Sequence, residues 1–242
     1  MSTTTVPAWL APAYARAAVA AGATAPAADI DAAADRLIER WREPERRYHD
    51  LAHLVDLLKH VDELQQETHQ PHHVRLAAWY HGAVFDADES AAYAGRGGED
   101  EAASAEVARE DLQSLGVPQQ TAEAVASMVE GLARHAATGD GADAAVLSDA
   151  DLAILASDPQ RYRDYLQRVR EEYAHIPQDR YLEARRRIVE KLLSRERLYT
   201  SPMGGTWERP ARENLTAERS RLTRELASLD QLSTDSDGPA RR

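Results

Sequence analysis

From Ile30 onward the apolar residues of this chain return every three or four positions, and no alternation of period two lasts long enough to mark a strand. Ile30, Ala33, Leu37, Ile38 and Trp41 form one such stripe; Leu51, Leu54, Val55 and Leu58 form another; Val125, Met128, Val129 and Leu132 form a third. That period puts side chains on one face of an α-helix, and such a face is stable only when packed against others like it. The expected fold class is therefore all-α, a helical bundle. Composition agrees: 43% of the residues are hydrophobic but only 6% aromatic, so alanine and leucine must supply most of the core, and both are strong helix formers.

Punctuation between the stripes sets the predicted elements. Asp29 reads as an N-cap and Pro44 as the end of the first strongly periodic helix. A second helix is expected from about Glu45 to Glu67, a third from Pro71 through His81, and a fourth from Glu101 to Leu115 with Gly116 as its C-cap. Pro118 opens the next, Asp158-Pro159 another, and Glu208 to Leu229 reads as the last. Gly95-Arg96-Gly97-Gly98-Glu99-Asp100 lacks the lysine and spacing of a phosphate-binding loop and reads as a connection. Residues 1–28 are expected to form a loosely ordered arm or a short helix, 29–229 a single helical domain, and 230–242 a disordered polar tail.

The chain carries 29 Lys+Arg against 41 Asp+Glu, a net charge of -12, which argues against nucleic acid or an anionic membrane surface as partner. It has no cysteine, so a thiolate metal site and a disulfide framework are both excluded, and a cytoplasmic location is expected. No apolar run approaches the roughly 20 residues that span a bilayer.

Seven of the nine histidines lie between Arg46 and Asp86. On the helix predicted there, His49 and His53 are one turn apart on one face, which suits two ligands or one ligand and one proton donor. A solvated polar face opposite the leucines is the alternative. His81 follows in an otherwise apolar stretch, where a satisfied core histidine is the plainer reading. Asp151 falls on the same face as Leu147 and Ile154, whereas Asp149 points elsewhere. A carboxylate on an apolar face is costly to bury unless it is paired, capping or bound to a metal.

In order and rough spacing, His53, His81 and Asp151 resemble the metal-dependent HD-domain superfamily, in which a histidine, a His-Asp pair and a distant aspartate surround a divalent cation. The likeness is closer to a bacterial subgroup of HD phosphohydrolases. It is carried by Glu43-Pro44-Glu45-Arg46-Arg47-Tyr48-His49, Ala52-His53, Trp79-Tyr80-His81, Asp86, Asp149-Ala150-Asp151, Val169-Arg170-Glu171-Glu172-Tyr173 and Ala211-Arg212-Glu213-Asn214-Leu215. The resemblance implies an HD-like helical bundle that hydrolyses a small phosphorylated molecule, a nucleotide among the candidates. It implies a divalent cofactor (Mn, Mg, Fe, Co or Ni) on His53, His81 and Asp151, with His49 as proton donor or phosphate contact. Arg46 and Arg170 are candidate phosphate contacts, with salt-bridged scaffold as their alternative. Asp149, His135 and Glu101 are accessory candidates, and His60, His69, His72, His73 and His175 are read as surface residues. The departure is Gly82, which stands where the family has the aspartate of its His-Asp pair. Asp86 would substitute if the helix ran on to it. The alternative to an enzyme is a catalytically impaired HD-like binding module.

Overall fold

Asp50, Asp100 and Asp158 each precede a helix and turn a carboxylate back onto its first free amides. Asp50 accepts from the amides of Ala52 (2.9 Å) and His53 (3.2 Å), Asp100 from Ala103 (2.9 Å), and Asp158 from Gln160 (3.0 Å) and Arg161 (3.1 Å). Such caps satisfy amides that no helical carbonyl can reach. In a computed structural model covering residues 5–86, 98–133 and 141–236, they belong to an all-α protein with ten α-helices among the described residues. The helices are α1 (Leu10–Ala20), α2 (Ala27–Arg40), α3 (Leu51–Leu64), α4 (Pro71–Tyr80), α5 (Glu101–Ser114), α6 (Gln119–Leu132), α7 (Gly141–Asp151), α8 (Pro159–Glu172), α9 (Gln178–Leu193) and α10 (Glu208–Ser236). Two short strands, β1 (Phe85–Asp86) and β2 (Gly98–Glu99), pair antiparallel between α4 and α5.

The chain divides into two compact units, Met1–Ala153 with Tyr199–Thr206, and Ile154–Leu198 with Trp207–Arg242. The stretch 29–229 expected as a single domain runs through both units. The boundary falls inside a 3-10 turn, Leu152–Ala156, without the proline, glycine or polar run by which a linker is recognised.

In the first unit α4 is the central element, with α1, α3, α5, α6 and α7 packed around it. Leu76, Ala77, Ala78, Trp79 and Tyr80 are all fully buried, so the helix is apolar on every side at its C-terminal end. Truncating Leu76 there would cost about 2–5 kcal/mol. Of the loose arm or short helix expected over 1–28, the structure shows a helix: Leu10, Tyr14, Ala17 and Ala18 of α1 are buried, and the Tyr14 and Tyr80 hydroxyls lie 2.6 Å apart. Pro12 does not oppose this helix because it sits in the first turn, where its missing N–H has no helical carbonyl to meet. The Gly116 C-cap takes the form the sequence suggests: at φ 76°, its amide reaches Gln113 O (2.9 Å) and the Val117 amide reaches Leu112 O (3.0 Å).

Residues 199–206 return to this unit through Asp149, which is buried and accepts from the amides of Thr200 (3.0 Å) and Ser201 (2.7 Å). A Cβ at Gly204 would stand 2.5 Å from Asp149 Oδ2, so only glycine fits beside that carboxylate. In the second unit α9 and α10 pack together around buried Arg185 and Glu218. Helix α10 continues to Ser236, so the first part of the expected disordered tail is helical; 237–242 lie outside the described residues. No helix among the described residues is long and apolar enough to cross a membrane.

Candidate metal centre

Helix α3 begins at Leu51, so His49 precedes the helix and is not one turn behind His53 on it. The two nonetheless meet, with ring centroids 5.6 Å apart and nearly perpendicular. His53 is buried along with Leu54, Leu57 and Val61, which overturns the solvated-face reading for this residue. The stripe that packs runs through Leu57 rather than Val55, rotating His53 onto the flank of the core.

His81 caps the C-terminus of α4 and is fully buried. Its Nδ1 lies 2.7 Å from Ala78 O. A carbonyl can only accept, so Nδ1 carries the proton and Nε2 presents a lone pair, the tautomer a metal-binding imidazole needs. Burial keeps the ring neutral, lowering its pKa to about 3. That lone pair faces three groups from distant parts of the first unit. His53 Nε2 lies 3.2 Å away, Glu99 Oε1 3.3 Å and Asp151 Oδ1 3.9 Å, while Asp151 Oδ1 also lies 3.4 Å from His53 Nε2. The ligand atoms of His53, His81 and Glu99 fall within 4.8 Å of one another. Donors sharing one cation at about 2.0–2.2 Å are separated by about 3–4 Å, so the spacing fits a common ion.

Glu99 was not among the expected residues. It arrives through the pairing of β1 with β2, where Phe85 stands opposite Glu99 and Asp86 opposite Gly98. Gly98, at φ 112°, turns the chain into the ladder, and the Asp100 amide donates to Val84 O (3.1 Å). Buried Ser104 of α5 locks the same corner, its hydroxyl accepting from the Val84 amide (3.0 Å). The Glu99 side chain is 15% exposed, yet Oε1 is buried and accepts no hydrogen bond among the described residues. His81 Nε2, 3.3 Å away, presents a lone pair and has no proton to donate to it. Burial, and next the negative charge of Asp151, push its carboxyl up to about 8. An orphaned carboxylate oxygen facing two imidazoles fits a cation at that point. The donor set of two imidazoles and two carboxylates without thiolate suits a first-row divalent ion better than Mg²⁺.

Trp41 backs the cluster. Its fully buried indole donates to Trp79 O (3.0 Å) and lies 5.0 Å from the His81 ring. A Cβ at Gly82 would come within 2.4 Å of Trp41 Cη2 and 3.0 Å of Glu99 Oε1. Gly82 is not in the left-handed region, so space and not backbone conformation excludes a side chain.

Several expected residues serve elsewhere. Asp151, at the end of α7, joins the histidines, whereas Asp149 anchors residues 199–206, as their different helical faces suggest. The Arg46 side chain is fully buried between Trp41 and Phe85 (5.2 and 4.9 Å) and donates to Gly82 O (2.8 Å) and His49 O (3.3 Å), so it holds backbone in place. Arg170 belongs to the second unit, where it donates to Tyr173 O (2.5 Å) and Ile176 O (3.1 Å) beyond the end of α8. Asp86 is exposed on β1, because the chain leaves the helix at Tyr80 rather than continuing to it. Glu101 opens α5, half-buried, its carboxyl pushed up mainly by burial and further by Asp151. His135 lies outside the described residues. His69, His72 and His175 are exposed, and His60 and His73 half-buried. No family model matches this chain, and neither the curated proteins nor the solved structures hold one similar to it.

Proposed function

We propose that this protein is a divalent-cation-dependent phosphohydrolase of the HD superfamily, acting on a small phosphorylated molecule, with nucleotides the first class to test. The observation that carries the reading is the convergence of His53 Nε2, His81 Nε2 and Asp151 Oδ1 from α3, α4 and α7. Two neutral imidazoles and a carboxylate would hold the ion. When bound, such a cation supplies Lewis acidity that polarises a phosphoryl oxygen and lowers the pKa of a water.

The remaining steps belong to the chain. His81 is locked in the binding tautomer by Ala78 O. His49, half-buried beside His53, holds a proton that it gives to the departing oxygen. Arg46 keeps His49 in place through its carbonyl, and Phe85 flanks the His49 ring at 5.5 Å. With the Arg46 guanidinium committed to the Gly82 and His49 carbonyls and salt-bridged to Glu43 (3.1 Å), and the chain at -12, the phosphate's charge would be offset by the cation.

Purified protein should contain a first-row divalent metal and hydrolyse members of a phosphate-ester panel supplied with Mn, Mg, Fe, Co or Ni. His53→Ala should lose metal and activity together, and His49→Ala should retain metal while kcat falls about 10²–10⁴-fold. A wild type that shows neither bound metal nor hydrolysis would overturn the proposal.

A further inference from the structure

We infer that Glu99 is a cation ligand brought in by the β1–β2 ladder, and that position 82 must remain glycine because Trp41 and the Glu99 carboxylate already fill the space its side chain would enter. The inference rests on reading the His53–His81–Asp151 cluster as a cation centre.

Three observations meet at one point. Glu99 Oε1 is buried without a hydrogen bond among the described residues, beside the Nε2 lone pair of His81 at 3.3 Å. The backbone aims it there by a chain of constraints: the Phe85–Glu99 register, the Asp100 amide on Val84 O and the Ser104 hydroxyl on the Val84 amide. A Cβ built on Gly82 would lie 3.0 Å from that same oxygen and 2.4 Å from Trp41. Glu99 and a residue 82 side chain would therefore compete for one position, and the indole, pinned to Trp79 O, has no room to yield. A cation at that point would give Glu99 Oε1 the partner it lacks among the described residues, and would offset the Asp151 charge beside the same two rings.

The test compares wild type, Glu99→Gln, Glu99→Asp and Gly82→Asp by metal content after dialysis, Mn²⁺ affinity, and the visible spectrum of the Co²⁺-loaded protein. Thermal unfolding in chelator reports folding of each variant. Loss of an outer-shell partner weakens metal sites about 10–100-fold, so loss of this oxygen should weaken Mn²⁺ binding at least about 100-fold in Glu99→Gln. The Co²⁺ bands should shift, with unfolding in chelator unimpaired. Glu99→Asp, one methylene shorter, should fall between, and decides the matter if the glutamine variant does not fold. Gly82→Asp should lower thermal stability without raising affinity. Full metal affinity in folded Glu99→Gln, or tighter binding in folded Gly82→Asp, would overturn the inference while leaving the cation centre intact. A wild type that binds no cation would instead bring down the proposed function.

Discussion

Two buried glutamates, one in each unit, show how partner chemistry decides what a buried charge is for. Glu218 of α10 is fully buried and saturated: Arg185 donates to both its oxygens (2.7 and 3.2 Å), and the Tyr162 hydroxyl donates at 2.5 Å. Arg185 also reaches the Tyr165 hydroxyl at 3.0 Å. Burial and the Glu218 charge together push the Tyr162 hydroxyl upward, fixing it as a donor. Among the described residues Glu99 has no arginine or hydroxyl on Oε1; its neighbours there are two imidazoles and a second carboxylate. The first arrangement is complete and holds helices together. The second, on the function proposed above, is completed by a cation.

The two sites should therefore respond in opposite directions when one group is removed. The largest effect belongs to the saturated network. Arg185→Ala strands a buried carboxylate and should cost about 3–5 kcal/mol in urea unfolding. A cost below about 1 kcal/mol would mean that the network is no more than a surface pair.

Glu99→Gln in chelator should do the reverse and stabilise the protein, with a definite pH dependence. The folded-state pKa of Glu99 is raised from 4.5 to about 8, so its carboxylate form is penalised only in the folded state. Stability is undiminished below the unfolded value and is lost as pH rises from about 4.5 towards 8. Glutamine does not titrate, so the variant should match wild type near pH 5 and exceed it by on the order of 2 kcal/mol near pH 8. Equal melting curves at both pH values would remove the distinction between the two glutamates.

The smallest effect separates the two aspartates of α7. Asp149→Asn keeps one acceptor but turns an amide towards the Thr200 and Ser201 N–H groups, and should cost about 1–2 kcal/mol with metal content unchanged. Metal loss on this substitution would mean that residues 199–206 shape the centre as well as the scaffold.

Much of this was legible in the chain. Helical periodicity placed α3, α4 and α5, and the spacing of Leu147 and Asp151 separated Asp151 from Asp149, although Ile154, expected on the same helix, lies past its end in the 3-10 turn. The cluster was half legible: His49, His53, His81 and Asp151 lie on or beside predicted helices, where spacing carries information. Glu99 was not, because a two-residue strand has no period and its partner lies 14 positions away. For Arg46 the salt-bridged alternative holds, through Glu43 three residues back, but its bonds to the Gly82 and His49 carbonyls were not legible, since backbone acceptors leave no trace in sequence. Gly82 was visible as a departure but not its cause, which is the bulk of Trp41, the C-cap residue of α2.

The sequence by itself determined the helices, the thiol-free histidine and carboxylate chemistry, and the absence of a side chain at position 82. Those follow from local periodicity and residue type, which each residue carries with it. Only the tertiary structure decided that a carboxylate nevertheless stands at that point. Strand register and the packing of an indole are relations between distant residues, and they exist only once the chain has folded.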